Sequence, residues 1–180
     1  MMGFWLAAGL LLALLLYCIV LFNRLVARRN HAKEAWSGID VQLKRRHDLL
    51  PKLAEVVKAY GRFEQATLQG VTEARSAGAG VARQEAENGL TRGLRHLFAL
   101  AEAYPDLKAN QGYLDLQRQV SETEEQIQYA RRYYNGTVRE LNVLVESFPS
   151  NLVARAFGFR SGEYFEIELA TRRESPELKL

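Results

Sequence analysis

The stretch FWLAAGLLLALLLYCIVLF, residues 4–22, decides the fold class because it contains no charged side chain over 19 residues. A helix rises about 1.5 Å per residue, so a helix of this length spans roughly 28 Å, close to the hydrocarbon thickness of a bilayer. A buried core helix of a small protein is rarely apolar on every face. We therefore predict a single N-terminal transmembrane helix, which forms a membrane anchor over residues 1–23.

Neither a secretory signal peptide nor a lipoprotein signal fits the chemistry of this stretch. A secretory signal peptide has a basic start and small residues at its cleavage site, whereas MMGFW carries no basic side chain and LYCIVLFN offers no such site. A lipoprotein site needs a small residue before its cysteine, but Tyr17 precedes Cys18. Because Cys18 is the only cysteine, an internal disulfide is excluded and an oxidising compartment is not implied.

The charges that follow the stretch predict its orientation. Arg24, Arg28, Arg29 and Lys33, which we name the basic collar, come directly after it, and only the chain amine precedes it. Positive flanks stay on the cytoplasmic side, so we expect the N-terminus outside and the rest of the chain in the cytoplasm. Cations beside a membrane attract anionic headgroups by about 1 kcal/mol each. We expect no nucleic-acid partner, because no interleaved aromatics or reading motif accompany the basic residues.

Beyond the stretch, apolar residues keep the spacing of a helix with one buried face as far as about Ala74. Pro51 interrupts this region, because it has no amide hydrogen and either kinks a helix or sits in its first turn. The apolar stripe keeps its phase through Pro51, which favours a bent helix. Three possibilities stay open: a break at Pro51, a break at Gly61, or only a bend.

Two further helices follow a predicted loop, SAGAG at residues 76–80. The first runs from about Arg83 to Ala103 and stops at Tyr104-Pro105-Asp106. The second has the strongest pattern, because Tyr113 to Phe148 step by threes and fours without a break, as in left-handed bundles. The soluble part is therefore all-α, most simply an antiparallel bundle. The predicted core includes Trp36, Ile39, Leu43, Leu94, Ile127, Tyr134 and Leu141.

The sequence shows no constellation of catalytic or metal-binding residues. No two of the three histidines have the i+3 or i+4 spacing of a metal site on a helix, and the single cysteine lies in the apolar stretch. Phosphate-binding glycine loops and the GxSxG motif are absent. The glutamates of segment 122–125 are interpreted as a solvated helix face. We therefore predict a non-enzymatic protein without a metal or a cofactor.

The segment AWSGIDVQLKRRHDLLP, residues 35–51, places a His-Asp pair after a run of cations. Adjacent residues on a helix point about 100° apart, so His47 and Asp48 do not form a catalytic dyad on an intact helix. The simpler interpretation is a helix end, where cations complement the helix dipole. We retain Arg45, Arg46, His47 and Asp48 as candidate interaction residues. Because Arg46 falls on the apolar stripe, its burial would require a carboxylate partner.

The C-terminal region carries large apolar groups that a disordered tail would lack. Val153, Phe157, Phe159, Tyr164 and Phe165 either close the open end of the bundle or form a contact patch. A last helix that runs back toward the membrane would bring this patch near the basic collar, where aromatic rings enter the headgroup layer. The candidate interaction residues here are Phe157, Phe159, Tyr164 and Phe165.

Several blocks of the sequence resemble the LemA family of bacterial membrane proteins, in order and over nearly the whole chain. The blocks are FNRLVARRN (22–30), AWSGIDVQLKRRHDLLPKL (35–53), YNGTVRELNVLVESFP (134–149), AFGF (156–159) and YFE (164–166). The sequence departs from the family pattern at Phe22, where tyrosine is usual, and at Leu141, where a second Tyr-Asn is common.

The resemblance implies one N-terminal membrane helix and a soluble, antiparallel up-and-down four-helix bundle. We place the bundle at residues 24–159 and a C-terminal tail at residues 160–180. The family has no agreed biochemical function, so the resemblance implies no enzyme activity; it associates the chain with membrane homeostasis and membrane-protein quality control. Four helices require a break in the first long segment, for which Pro51 is the first candidate and Tyr60-Gly61 the second.

The leading hypothesis is a membrane-anchored scaffold or interaction protein of the bacterial inner membrane, with a cytoplasmic bundle. Its expected partners are the lipid bilayer, anionic headgroups at the basic collar, and a membrane protein or a second copy of the chain. A second hypothesis is an accessory subunit of a membrane protease or transporter in membrane-protein quality control. A third is a hydrolase whose site the motifs do not reveal.

Overall fold

The computed structural model describes residues 1–59 and 81–165, and within those two ranges the chain is helical without any strand. The predicted all-α class is therefore confirmed, while the four-helix up-and-down arrangement stays a prediction. The predicted loop at 76–80, the possible break at Tyr60-Gly61 and the tail beyond residue 165 lie outside the described residues. The helices are α1 (Met2–Lys58), α2 (Val81–Glu102), α3 (Pro105–Lys108), α4 (Gln111–Glu146) and α5 (Ser150–Ala156).

The first part of α1 is exposed on every face. In the described chain, α1 is the one helix that is long and apolar enough to cross a membrane, and only 6% of its most apolar window is buried. Phe4, Trp5 and Leu6 are each more than 70% exposed. A core helix of a soluble protein would be mostly buried, so these exposed apolar side chains favour a lipid environment.

Pro51 does not break α1, which continues to Lys58. A proline inside a helix leaves the carbonyl four residues earlier, here that of His47, without its N–H donor, and this costs about 3 kcal/mol. The residues around Pro51 offset that cost by packing, because Leu50 and Leu53 are 3% and 0% exposed. A break at this proline, our first candidate for the four-helix count, does not occur.

One compact unit lies within residues 41–127, of which 41–59 and 81–127 are described, and includes Phe165. Within its described part, the end of α1, α2, α3 and the first half of α4 share one apolar core. The buried side chains of this core are Leu49, Leu50, Leu53, Val57, Leu90, Leu94, Leu97, Ala101, Leu107, Tyr113 and Val120. On α1 and α2 they recur at the helical spacing that predicted these helices, whereas α3, which the sequence did not predict, contributes Leu107 alone.

A second compact unit comprises residues 1–40 and 128–164. Its apolar core joins α1 to α5 through Leu21, Leu25, Val153, Ala154 and Phe159. Gly158 ends α5 with a φ of 71°, a left-handed conformation that glycine adopts without steric cost. This turn sends the chain back along α4.

Hydrogen bonds to the backbone hold the segment after α5 against α4. The Asn142 amide donates to the carbonyl of Gly162 at 3.0 Å, and its Oδ1 accepts from the Gly162 N–H at 2.7 Å. The Tyr134 hydroxyl donates to the carbonyl of Glu163 at 3.0 Å. A Cβ at Gly162 would lie 3.4 Å from Val138, an ordinary van der Waals distance, so this segment packs on α4 at normal contact.

Five of the seven predicted core residues are buried, at 5% exposure or less: Ile39, Leu43, Leu94, Ile127 and Leu141. The other two, Trp36 and Tyr134, are only half-buried. Their rings meet edge to face with 5.3 Å between centroids. Each ring therefore covers the other while its polar group stays near the surface, as is usual for large amphipathic aromatics.

Candidate functional site

Charged and polar side chains are buried together within the unit of residues 41–127. Arg46 is 1% exposed, His47 7%, Glu87 0% and Thr91 8%, and the side chain of Glu124 is 31% exposed. We name these five residues the buried charge cluster. A buried charge is costly unless it is paired and hydrogen-bonded, so the contacts within the cluster decide whether it is stable.

Arg46 lies at the centre of the cluster. Its Nη2 donates to the Thr91 hydroxyl at 2.7 Å, and its Nη1 donates to Oε2 of Glu87 at 3.4 Å. Its Nε lies 3.0 Å from Oε1 of Glu124, but the N–H does not point at that oxygen, so this contact is an ion pair without a hydrogen bond. The prediction that a buried Arg46 requires a carboxylate is confirmed.

His47 joins the same cluster although it follows Arg46 directly on the helix. Its Nε2 lies 2.9 Å from Oε1 of Glu87. A carboxylate oxygen only accepts, so Nε2 carries the proton in this contact. One oxygen of Glu87 contacts Arg46 and the other contacts His47. Two adjacent residues of α1 therefore share one carboxylate of α2.

The predicted group of four interaction residues divides into two pairs. Arg46 and His47 are buried in the cluster, whereas Arg45 and Asp48 are exposed. Because adjacent residues point about 100° apart, one face of α1 turns inward here and the next turns outward. On this turn of α1, Arg46 and His47 therefore face the core, and the residues on either side of them, Arg45 and Asp48, face the surface.

The interpretation of the 122–125 glutamates as a solvated face is wrong for Glu124. Glu122 and Glu125 are exposed, but Glu124 is half-buried beside Arg46. Burial raises the pKa of Glu124, the Arg46 guanidinium lowers it, and the nearby Glu87 carboxylate raises it further. Desolvation is the largest of these effects, so the proton is held more tightly than on a free glutamate.

Glu87 and Thr91 were missed by sequence reasoning, although a signal was present. Glu87 stands three residues before Leu90 on the apolar face of α2, at the same three- and four-residue steps as Leu94 and Leu97. A carboxylate on an apolar face indicates burial with a cationic partner. Arg46 is likewise a charged residue on the apolar stripe of α1. The cation on one stripe and the carboxylate on the other form an ion pair.

The observed contacts are those of an ion network inside the fold. Each charged group in the cluster faces another group of the same chain, and the network joins α1, α2 and α4. Within the described residues no group of three or more His, Cys, Asp or Glu side chains is placed to hold a metal ion. The network favours one alignment of α1, α2 and α4, because another alignment would leave a buried charge unpaired.

The basic collar lies beside α4 in the unit of residues 1–40 and 128–164. Arg28 forms an ion pair with Glu140, both about half exposed. The Arg29 guanidinium stacks over the ring of Phe159, 5.0 Å from its centroid. An open groove beside these contacts is lined by Arg24, Ala27, Arg28, Arg139, Glu140, Val143 and Leu144. Two arginines of the basic collar, Arg24 and Arg28, therefore line this open groove together with Arg139 of α4.

The C-terminal aromatic residues are divided between core and surface. Phe159 and Phe165 are buried, at 9% and 2% exposure, as is Val153. Phe157 and Tyr164 are 62% and 45% exposed. Core packing is therefore confirmed for Val153, Phe159 and Phe165, while the contact patch stays a prediction for the exposed Phe157 and Tyr164.

Comparison with known proteins adds the following similarities. A family model described as the LemA family matches residues 35–180. The chain is 29% identical over 141 residues to Protein LemA of Metamycoplasma hominis, which covers 74% of this chain and 63% of that protein. It is 30% identical over 89 residues to Magnetosome protein MamQ 2 of Paramagnetospirillum magneticum, covering 49% of this chain and 33% of that protein.

A longer alignment joins the chain to Magnetosome protein MamQ of Magnetospirillum gryphiswaldense. The two are 21% identical over 185 residues, which covers 86% of this chain and 68% of that protein. For the first two relatives, the chain spans less than two thirds of their own length. The family model begins at residue 35, so it covers the buried charge cluster and all of α2 to α5.

Proposed function

The chain belongs to the LemA family, and from this premise we propose that it is a non-enzymatic, membrane-anchored scaffold or interaction protein of the bacterial inner membrane. The observation that carries the proposal is the continuity of α1 from Met2 to Lys58. One helix begins as an exposed apolar segment and ends in a packed core. The apolar segment and residues of a packed core therefore belong to the same helix.

The positive charges support a cytoplasmic location of the helical units. The four cations of the basic collar follow the apolar stretch, and positively charged flanks stay on the cytoplasmic side. Arg24, Arg28 and Arg139 line an open groove at this end of the protein. We propose that this groove faces anionic headgroups, which attract each nearby cation by about 1 kcal/mol.

The scaffold role requires that copies of the chain associate in the membrane. Arg45 and Asp48 are exposed on α1, and they provide a cation and an anion on one surface. A two-fold contact between copies would place this surface of one copy against the same surface of the other.

Two differently tagged copies of the full chain, extracted from membranes in polymer-bounded lipid discs, test the proposal. We expect the two tags to co-purify, and we expect the double variant Arg45→Ala with Asp48→Ala to lose most of this co-purification. The matched control is Lys52→Ala with Glu55→Ala, which also removes one exposed cation and one exposed anion of α1. Equal co-purification of both double variants would reject this surface.

The same experiment distinguishes the scaffold role from the role of an accessory subunit of a membrane protease or transporter. Purification of a stoichiometric protease or transporter, without a second tagged copy, would replace the scaffold proposal by the accessory role.

A chain that alkaline carbonate removes from the membrane would contradict the anchor itself, because a membrane-spanning helix resists that extraction.

A further inference from the structure

Three large apolar side chains are exposed around α5. Phe148 is 79% exposed, Leu152 57% and Phe157 62%. They occupy the two ends and the outer face of a helix of seven residues. All three lie within the ten residues 148–157, and we name them the α5 patch; large apolar side chains exposed in so short a segment indicate a contact surface.

The buried residues of α5 pack on α1 at the end of the apolar stretch, and Phe157 lies at the edge of this contact. Val153 and Ala154 belong to the same core as Leu21, with Cys18 and Phe22 packed against it. The ring of Phe157 lies 4.9 Å from that of Phe22, edge to face. Cys18, Leu21 and Phe22 are all within the uncharged residues 4–22. The short helix therefore lies beside the last turn of the segment that is apolar enough to cross a membrane.

This contact determines the depth of α5 once the apolar stretch is in a bilayer. Cys18 and Phe22 are four residues apart, which corresponds to about 6 Å along a helix. An element packed against both residues lies at the boundary between acyl chains and headgroups. Its outer face then meets lipid at the depth where interfacial helices bury their apolar side chains, about 5–10 Å into the boundary.

We propose that Phe148, Leu152 and Phe157 insert into this boundary and make α5 a second membrane contact of the protein. The proposal rests on the membrane anchoring of the proposed function, and it holds for either orientation of the chain. The contact restricts the rotation of α1 about its own axis, because it keeps the face of α1 that carries α5 at the membrane boundary.

The charges around the patch favour lipid over a protein partner. Arg155 is exposed one turn from Leu152, and Arg24 follows Phe22 by two residues. Apolar side chains with cations at their edge match acyl chains below phosphate groups. A seven-residue helix has little affinity for a membrane alone, but here the packing on α1 has already ordered it, so insertion does not require the helix to form.

Spin-label accessibility in the full chain tests the inference. With Cys18→Ser as the background, single labels are placed by Leu152→Cys, by Leu14→Cys in the apolar stretch and by Tyr129→Cys, whose side chain is 57% exposed on α4. The protein is reconstituted in vesicles of phosphatidylethanolamine and phosphatidylglycerol. Collision with oxygen, which dissolves in lipid, is compared with collision with a water-soluble nickel chelate.

We expect the label at position 152 to collide with oxygen as the label at 14 does, and to collide with nickel severalfold less than the label at 129. Nickel access at 152 equal to that at 129, with position 14 protected, would overturn the inference and leave the anchor intact. Nickel access at position 14 would overturn both. An immobile label at 152 that neither reagent reaches would show a protein partner or a second copy instead, and would also overturn it.

Discussion

Arg46 illustrates how one residue in the core depends on partners that are far away in the sequence. Its guanidinium is 1% exposed and contacts two glutamates and a threonine. Taking an ion out of water costs several kcal/mol, so a buried arginine is tolerated only with well-placed acceptors. The Nη1–Oε2 distance of 3.4 Å to Glu87 is long for a hydrogen bond, which makes the nearer Thr91 and Glu124 necessary parts of the network.

Removing the Glu87 carboxylate should destabilise the fold strongly. Glu87→Ala leaves both Arg46 and His47 without their shared acceptor, and breaking a buried pair in this way costs about 3–5 kcal/mol. Denaturant unfolding followed by circular dichroism in detergent measures this loss. Glu122→Ala, on the exposed face of α4, serves as the control and should stay within about 0.5 kcal/mol. A loss below about 1 kcal/mol for Glu87→Ala would show that the network is not formed.

Glu124 predicts a pH dependence of stability. Burial raises its pKa above the ordinary value of 4.5, against the opposing effect of Arg46. The folded state therefore keeps the proton at a pH where the unfolded state has lost it, so the free energy of unfolding falls as pH rises from 4.5 through the raised pKa. Glu124→Gln should remove this fall. Unfolding measured over a pH series, with Glu125→Gln as the exposed control, checks it; an unchanged slope in Glu124→Gln would assign the effect to another group.

At the scale of the elements, α1 and α4 each contribute to two compact units. Residues 2–40 of α1 lie in one unit and residues 41–58 in the other, and α4 divides between residues 127 and 128. Both helices place buried apolar residues in each unit.

Ile127 tests the packing of α4, the helix with the strongest sequence pattern. Its side chain is 1% exposed, and truncation of a buried isoleucine to alanine costs about 2–5 kcal/mol. Ile127→Ala should therefore lower the free energy of unfolding by that amount. Val143→Ala on the same helix, where the side chain is 55% exposed, is the control and should change it little. Equal effects of the two substitutions would mean that the stripe of α4 is not packed.

At the scale of the whole molecule, an apolar segment, a basic collar and a helical core follow one another along the chain. The apolar segment is exposed and the core is buried. Each part suits a different environment. The apolar segment suits hydrocarbon, the basic collar suits lipid headgroups, and the helical core suits water around it. The order of these parts along the sequence is the basis of the predicted topology.

A reporter fused after Leu180 should behave as a cytoplasmic protein. The cations of the basic collar favour the cytoplasmic side for everything that follows the span. Paired fusions to a reporter active only in the cytoplasm and to one active only in the periplasm measure this. Replacing all four collar cations by glutamine should weaken the preference. Activity of the periplasmic reporter in the unaltered chain would reverse the orientation.

The amino-acid sequence by itself determined the helical class, the apolar segment and the helix that ends before Pro105. It also predicted the bounds of α2 and α4 to within two residues. These features depend on neighbours three or four positions apart, and a periodic pattern records them directly. The unbroken apolar stripe favoured a continuous α1 at Pro51, and the structure agrees; the break expected there came from the four-helix count that the family resemblance implies.

Only the tertiary structure decided which charges meet and which aromatics are buried. Arg46 and Glu87 are 41 residues apart in the chain, and Phe22 meets Phe157 across a still longer separation. Periodicity shows that a residue faces inward, but it does not show which residue of another helix it meets. That choice depends on how the helices pack, since a buried charge must have its opposite charge within a few ångströms and an apolar ring must have a matching surface.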